Sequence, residues 1–224
     1  MERFIISSRN QGAAWPTKHI SYPIGARFAY VFAKLGFSPN AVSLIGLAVA
    51  LLTVVAVYFQ HNNVMAAIIL FVGLEVSYII DCADGVLARA MNRTSPFGAI
   101  LDKLCDGLQT LVIPLFLVWI IDCRGEIQVH LTVPLMITWV ISSSLLTHTI
   151  WFKSIYITQS TPSEKRKRGF IASVAAILID NPTTRLLVAV FWAFDLYFHF
   201  AAGYAAVTFI IFIGYIFKQY RILK

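Results

Sequence analysis

Four aspartates occur at two tight spacings in a strongly apolar part of the chain. Asp81 and Asp84 lie three positions apart and Asp102 and Asp106 lie four apart, so each pair shares one face of a helix. A carboxylate inside a membrane span costs about 2.5–3.5 kcal/mol on insertion scales, which makes such residues candidates for function. The pattern therefore predicts a polar site built into an apolar protein.

Carboxylates that lie this close together need cations. Four ionised acids cannot share one site without compensating charge, and Lys103 and Arg89 could supply part of it. Oxygen-only ligands favour hard divalent ions, Mg²⁺ or Mn²⁺. Two such ions about 3.5–4 Å apart are typical of phosphoryl-transfer sites. The alternative, an ion-pair cluster that only stabilises packing, is disfavoured because membrane helices pack without this cost.

Two glycines and an arginine flank the acids. Gly85 follows Asp84, and Gly98 lies one turn before Asp102, so a ligand or a neighbouring helix can approach the backbone closely. Arg89 lies one turn after Gly85 on the same face, where it could hold a phosphate by charge-assisted hydrogen bonds. These neighbours favour a pocket for a phosphate-bearing ligand.

The composition is typical of an integral membrane protein. The 224 residues are 58% hydrophobic and 13% charged, and the mean hydropathy is +0.75, whereas soluble domains are about 45–50% apolar and about 25% charged. An ordinary soluble enzyme could not hide this much apolar surface. In a membrane, the net charge of +7 is explained by orientation and anionic headgroups rather than by nucleic acid. The three scattered cysteines give no disulfide framework.

Six segments are long and apolar enough to be transmembrane helices: 39–60, 64–90, 97–121, 129–152, 183–200 and 203–219. With both termini cytoplasmic, all of the 18 Lys and Arg residues except Arg124 fall on the cytoplasmic side, as the positive-inside rule predicts. The four aspartates then lie near the cytoplasmic ends of the second and third spans. We expect an all-α integral membrane bundle whose active site faces the cytoplasm, in the inner membrane if the source is bacterial.

The segment before the first span has a different character. Residues 17–35 mix aromatic residues with Lys18, Arg27 and Lys34, which is typical of an interfacial amphipathic helix. Pro23 and Gly25 limit the expected regular part to 24–35. Its role is open between a plain anchor and a lid over the site. The predicted organisation is a cytoplasmic N-terminus over 1–38 and a six-helix catalytic domain over 39–224.

The spacing of these residues resembles the signature of the CDP-alcohol phosphotransferase family, DxxDGxxAR followed by GxxxDxxxD. The SPN at 38–40 also resembles the usual start of the first span in that family. All eight signature positions are present: Asp81, Asp84, Gly85, Ala88, Arg89, Gly98, Asp102 and Asp106.

The resemblance implies a reaction and a set of roles. Such enzymes transfer a phosphoalcohol or phosphatidyl group from a CDP-linked donor to an acceptor hydroxyl and release CMP. The four aspartates would hold two divalent ions, and Asp106 would also be the general base. The CDP site would be lined by Gly85, Ala88, Arg89 and Gly98. Asn40 would contact the nucleotide or cap the first span. The resemblance also implies a homodimer.

The substrates are less well defined by the resemblance. One branch of the family uses CDP-diacylglycerol, and the other uses a small CDP-alcohol with diacylglycerol as acceptor. Residues 95–110 resemble the second branch, but Lys103 and Leu104 stand where that branch carries His-Gly. The small size of the chain favours CDP-diacylglycerol and a small alcohol.

Three residues could contact an anionic acceptor, namely Lys103, His148 and Lys153. For His148 and Lys153, a packing hydrogen bond or snorkelling to the interface is an equal alternative. A function of another class, cation or proton transport through intramembrane acids, would spread those acids through the membrane depth. Here they cluster near one face, which favours the enzyme.

Overall fold

The computed structural model describes residues 1–8, 15–123, 134, 137, 181–194, 196, 199, 203–204, 206–207, 209–214 and 217. These residues are helical or lie in turns, and none of them forms a strand, so the all-α prediction is confirmed for this part of the chain. We number the described helices in chain order: α1 Glu2–Ser7, α2 Tyr22–Lys34, α3 Pro39–Phe59, α4 Asn63–Ala90, α5 Pro96–Cys123 and α6 Asn181–Ala193.

Two of the described helices, α3 with 21 residues and α4 with 28, are long and apolar enough to cross a membrane. They match the predicted spans 39–60 and 64–90. The Ser38 hydroxyl caps α3 by accepting from the Ala41 amide at 3.2 Å, and the Asn62 side chain caps α4 through the Met65 amide at 3.0 Å. Both caps satisfy amides that the first helical turn leaves without a partner.

The other predicted spans are described to different extents. Helix α5 covers the predicted third span, and α6 covers the first part of the predicted fifth span. The predicted fourth span, 129–152, is described only at two positions, and the last, 203–219, only in part. The number of six spans therefore stays a prediction.

The chain forms two compact units. The first comprises Met1–Gln109 and Phe170–Asp195, and the second comprises Thr110–Gly169 and Leu196–Lys224. Helices α1 to α4, the beginning of α5 and α6 belong to the first unit. All eight signature residues lie in it as well.

Helices α2, α3 and α4 pack through small side chains. Their shared core contains mainly alanine and valine, with Ile80 and Leu87 as its larger members. A Cβ added at Gly25 would lie 3.2 Å from the Cβ of Cys82, and one at Gly46 would lie 3.4 Å from the Ser77 carbonyl oxygen. Small residues therefore allow close backbone approach, which is how membrane helices gain packing energy.

Helix α2 begins earlier than the sequence predicts. It starts at Tyr22 rather than residue 24, directly after a π-helical turn over Thr17–Ser21. Pro23 lies in the first turn of α2, where the chain passes from the π-helical turn into the α-helix and the fixed φ of proline is compatible with both. Gly25 does not interrupt the helix because its bare backbone packs against α4.

A tight turn joins α4 to α5. Asn92 has a φ of 52°, in the left-handed region. The Arg93 amide donates to the Ala88 carbonyl at 2.8 Å, and the Asn92 amide donates to the Arg89 carbonyl at 3.3 Å, which is the Schellman pattern of a helix end. The Ser95 hydroxyl then accepts from the Gly98 amide at 3.0 Å and caps α5. This turn brings the two pairs of aspartates together.

The left-handed residue in this turn provides a test of the fold. Asn92→Val should lower stability by about 1–2 kcal/mol, because a branched Cβ clashes with the backbone at positive φ. Asn92→Gly, the control, should keep or raise stability. Thermal unfolding of the purified variants in detergent measures both, and equal midpoints for valine and glycine would contradict this account of the turn.

Candidate active site

The first unit contains a cavity of about 320 Å³ lined by residues of α2, α3, α4, α5 and the turn between α4 and α5. The sequence predicted most of its polar lining. The predicted site residues that line this cavity are Asn40, Asp81, Asp84, Gly85, Ala88, Arg89, Gly98, Asp102 and Lys103. Asn40 and Lys103, 63 positions apart in the chain, thus face one space, within reach of a single small ligand.

Three of the four aspartates form a tight cluster. Asp81 of α4 and Asp102 and Asp106 of α5 each place a carboxylate oxygen within 4.8 Å of the other two. All three are half-buried. The helix geometry explains the grouping, because the i,i+4 pair on α5 presents both carboxylates to the face of α4 that carries Asp81.

Asp84 is held separately, on the α3 side of the same cavity. It is buried and accepts a short hydrogen bond from the Ser43 hydroxyl. The same hydroxyl oxygen lies 3.3 Å from the Pro39 carbonyl oxygen, which is a second possible acceptor for its one proton. This serine was missed at the sequence level because one hydroxyl in an apolar span carries no distinctive spacing. Its position just after the SPN segment was the only available signal.

Lys103 lies among the acids. Its ammonium nitrogen is 2.7 Å from Asp106 Oδ2 and 3.0 Å from Asp102 Oδ2. Lys103 thus balances part of the negative charge, as the sequence analysis predicted. It also lines the cavity, so contact with a bound acceptor stays a prediction.

The acid cluster fits a hard divalent cation. Its ligand atoms are all carboxylate oxygens, which suit Mg²⁺ and Mn²⁺. Lys103, Arg185 and the cavity-lining Arg89 provide three positive charges near the four carboxylates of Asp81, Asp84, Asp102 and Asp106. Only Lys103 lies within ion-pair distance of the cluster, so a divalent ion would still be favourable when all four are ionised. The donor set and the charge balance both fit metal binding.

The predicted nucleotide residues form the rest of the cavity wall. The guanidinium of Arg89 lies over Gly85, where an added Cβ would be 3.1 Å from Nη1. A Cβ at Gly98 would lie 3.1 Å from the side-chain oxygen of Asn40. A side chain at either glycine would therefore fill space next to Arg89 or Asn40. The absence of a Cβ leaves that space open to a ligand.

Arg185 is a second residue that the sequence analysis missed. It was counted only as an orientation charge, but it reaches from α6 to α4. Its guanidinium donates to the Leu74 carbonyl, lies 4.8 Å from the ring centre of Tyr78 and interacts electrostatically with Glu75 and Asp81. The signal that could have found it is its place in the first turns of an apolar segment, where a charge needs a partner.

Two predicted acceptor residues cannot be placed. His148 and Lys153 lie outside the described residues. Their proposed contact with an acceptor therefore stays a prediction.

Comparison with known proteins agrees with the geometry of the site. The sequence profile of the CDP-alcohol phosphatidyltransferase family matches residues 37–212, which include the whole cavity wall contributed by α3, α4 and α5. The chain belongs to this family. The resemblance inferred from the eight signature residues is thereby confirmed.

Three relatives match shorter stretches of the chain. An archaetidylinositol phosphate synthase of Pyrococcus horikoshii is 40% identical over 82 residues, which cover 37% of this chain and 41% of the relative. Cholinephosphotransferase 1 of Mus musculus is 34% identical over 83 residues, covering 34% and 21%. A CDP-diacylglycerol–inositol 3-phosphatidyltransferase of Drosophila melanogaster is 39% identical over 74 residues, covering 33% and 30%. The matched stretches thus span less than half the length of each of these relatives.

The acid cluster predicts a measurable metal affinity. Asp81→Asn should weaken Mn²⁺ binding at least tenfold, because it removes one charged ligand from a set of three. Titration followed by the electron paramagnetic resonance of free Mn²⁺ measures the affinity. Glu2→Gln removes an exposed carboxylate outside the cavity and should bind Mn²⁺ like the parent. Equal affinities for parent and Asp81→Asn would contradict the metal assignment.

The contact between α6 and α4 predicts a coupled effect on stability. Arg185→Met should lower the free energy of unfolding by about 1–3 kcal/mol, because it leaves the half-buried Glu75 without its cation. The double variant Arg185→Met with Glu75→Gln should lose less than the sum of the single losses. Thermal unfolding of the four proteins measures this coupling, and strictly additive losses would refute it.

Proposed function

We propose that this protein is a membrane enzyme of phospholipid synthesis that transfers a phosphatidyl group from CDP-diacylglycerol to the hydroxyl of a small alcohol and releases CMP. One observation carries the proposal. Seven of the eight signature residues line a single cavity, and the eighth, Asp106, belongs to the acid cluster in its wall. Family membership, established over residues 37–212, supports the same conclusion.

Each part of the site has a proposed role. Gly85, Ala88, Arg89, Gly98 and Asn40 bind the CDP group, with Arg89 opposing the charge of the diphosphate. Asp81, Asp84, Asp102 and Asp106 hold two divalent ions, Mg²⁺ or Mn²⁺. When bound, these ions neutralise the diphosphate and stabilise the charge that develops during transfer.

The transfer needs one proton acceptor. Asp106 takes the proton of the acceptor hydroxyl, and the oxygen attacks the β-phosphorus of the donor. The bond from that phosphorus to the bridging oxygen breaks, so that CMP leaves with the bond electrons. Lys103 donates a hydrogen bond to Asp106 at 2.7 Å and so orients the carboxylate for this step. Lys103, His148 and Lys153 are the proposed contacts of an anionic acceptor.

The choice of donor rests on Lys103, which stands where the branch that uses small CDP-alcohols carries a histidine. A specific observation favours the other donor, because a cholinephosphotransferase is 34% identical over 83 residues. The alternative function is therefore transfer from a small CDP-alcohol to diacylglycerol.

The proposed setting is a multi-pass membrane protein with six spans, 39–224, and cytoplasmic termini. Residues 1–38 would lie on the cytoplasmic side, with α2 in the interface, and the cavity would open to the cytoplasm. The distribution of Lys and Arg supports this orientation, and the apolar helices α3 and α4 support the membrane location. A homodimer is proposed from the family resemblance.

A CMP-release assay tests the proposed reaction. Purified protein in nanodiscs with Mg²⁺ or Mn²⁺ is given CDP-diacylglycerol with inositol phosphate or glycerol phosphate, or CDP-choline or CDP-ethanolamine with diacylglycerol. We expect CMP release with CDP-diacylglycerol, and a loss of about 10²–10⁴-fold in kcat for Asp106→Asn. The carboxylate control Glu2→Gln should keep the parent rate.

The outcomes separate the hypotheses. CMP release only with CDP-choline or CDP-ethanolamine would exclude CDP-diacylglycerol as the donor. It would support the alternative function, transfer from a small CDP-alcohol to diacylglycerol. Full activity of Asp106→Asn would exclude the proposed base. Ion flux into proteoliposomes without CMP release would favour the transporter hypothesis.

A further inference from the structure

Helix α1 touches the arginine of the nucleotide site. The Nε of Arg89 donates a hydrogen bond to the main-chain carbonyl of Ser7 at 3.1 Å, across 82 positions of sequence. The same guanidinium lines the cavity and lies over Gly85. The side chain of Arg89 is therefore fixed at one edge by α1 and faces the cavity with the other.

The carbonyl that accepts this bond is itself held in place. The ring of Phe4 meets that of Tyr30 edge-on at 5.7 Å and packs against the core shared by α2, α3 and α4. At the end of α1, the Ser8 amide donates to the Phe4 carbonyl at 3.0 Å. The Ser8 hydroxyl donates to the Ile5 carbonyl at 2.7 Å. The end of α1 is thus held by the packing of the Phe4 ring and by the hydrogen bonds of Ser8 to the preceding turn.

The geometry leaves the ligand-binding edge of Arg89 available. A guanidinium carries five N–H donors in a rigid planar fork. One bond from Nε to Ser7 fixes the plane of that fork and leaves Nη1 and Nη2 for an anion. A free arginine would lose rotamer entropy on binding a phosphate, and prior ordering reduces that cost.

We infer that α1 is a positioning element of the donor site. Through the Ser7 carbonyl it holds Arg89 in the orientation in which Nη1 and Nη2 bind the diphosphate of the CDP-linked donor. This inference rests on the proposed function, and it assigns a role in donor binding to a segment that precedes the family match at residue 37. A plain membrane anchor would instead leave donor affinity unchanged when its contact with Arg89 is lost.

The contact can be broken without touching the cavity. Ser8→Pro removes the amide that closes α1 and disfavours the helical conformation of Ser7, which moves the Ser7 carbonyl. Ile6→Ala is the control, because it shortens an exposed side chain of α1 and leaves the hydrogen bonds at the end of the helix in place. Phe4→Ala is a second disrupting variant, which loosens α1 from the core by a different route.

Two measurements report on the donor site. The first is equilibrium binding of CDP with Mg²⁺ by calorimetry, and the second is the steady-state kinetics of CMP release. Ser8→Pro and Phe4→Ala should weaken CDP binding and raise the donor KM about three- to tenfold, as expected for the loss of one hydrogen bond. The acceptor KM and kcat should stay within about twofold of the parent, and Ile6→Ala should match the parent throughout.

A double variant tests whether the effect passes through Arg89. Lysine cannot donate to Ser7 and present two further donors in a planar fork. In the Arg89→Lys background, Ser8→Pro should therefore add no further loss of CDP affinity. An additional three- to tenfold loss there would overturn the assigned route.

The outcomes for the inference and for the proposed function are distinct. If the parent binds CDP and Ser8→Pro and Phe4→Ala bind it equally well, α1 has no role in donor binding, and the proposed function is unaffected. If kcat falls together with CDP affinity and the thermal midpoint drops, the role of α1 is structural and the inference is wrong. If the parent neither binds CDP nor releases CMP, the proposed function and the inference both fail.

Discussion

The structure of the site depends on the cost of placing like charges side by side in an apolar protein. Asp81, Asp102 and Asp106 present oxygens within 4.8 Å of one another, where repulsion is strong because the surroundings screen poorly. Helices α4 and α5 must be held firmly to keep this arrangement. The tight turn at Asn92, the caps at both helix ends and the small residues between α2, α3 and α4 provide that support.

The sequence predicted those helices whose start, end and length depend on residues close together in the chain. The bounds of α3 and α4 follow from apolar length and from capping residues such as Ser38, and each differs from the prediction by about one residue. The aspartate spacings predicted shared helix faces, and the short connection between the helices implied that the two pairs would meet. The grouping of Asn40 with Gly98 depended on the family resemblance.

The contacts that were missed join residues far apart in the chain. Ser43 to Asp84, Arg185 to Leu74 and Arg89 to Ser7 depend on how each helix is rotated about its axis. Apolar periodicity does not determine that rotation in a membrane protein, since most faces are apolar. Tyr22 as the start of α2 was missed for a related reason, because Gly25 breaks isolated helices but here packs against a neighbour.

The lysine in the acid cluster has a consequence for how the protein is assembled. Lys103 gives Asp102 and Asp106 a partner from the same helix, one and three positions away. This partner is present as soon as that helix is synthesised. The chain could therefore insert and fold with these two carboxylates already paired, and the divalent ions proposed for the site would bind to a helix that is already in place.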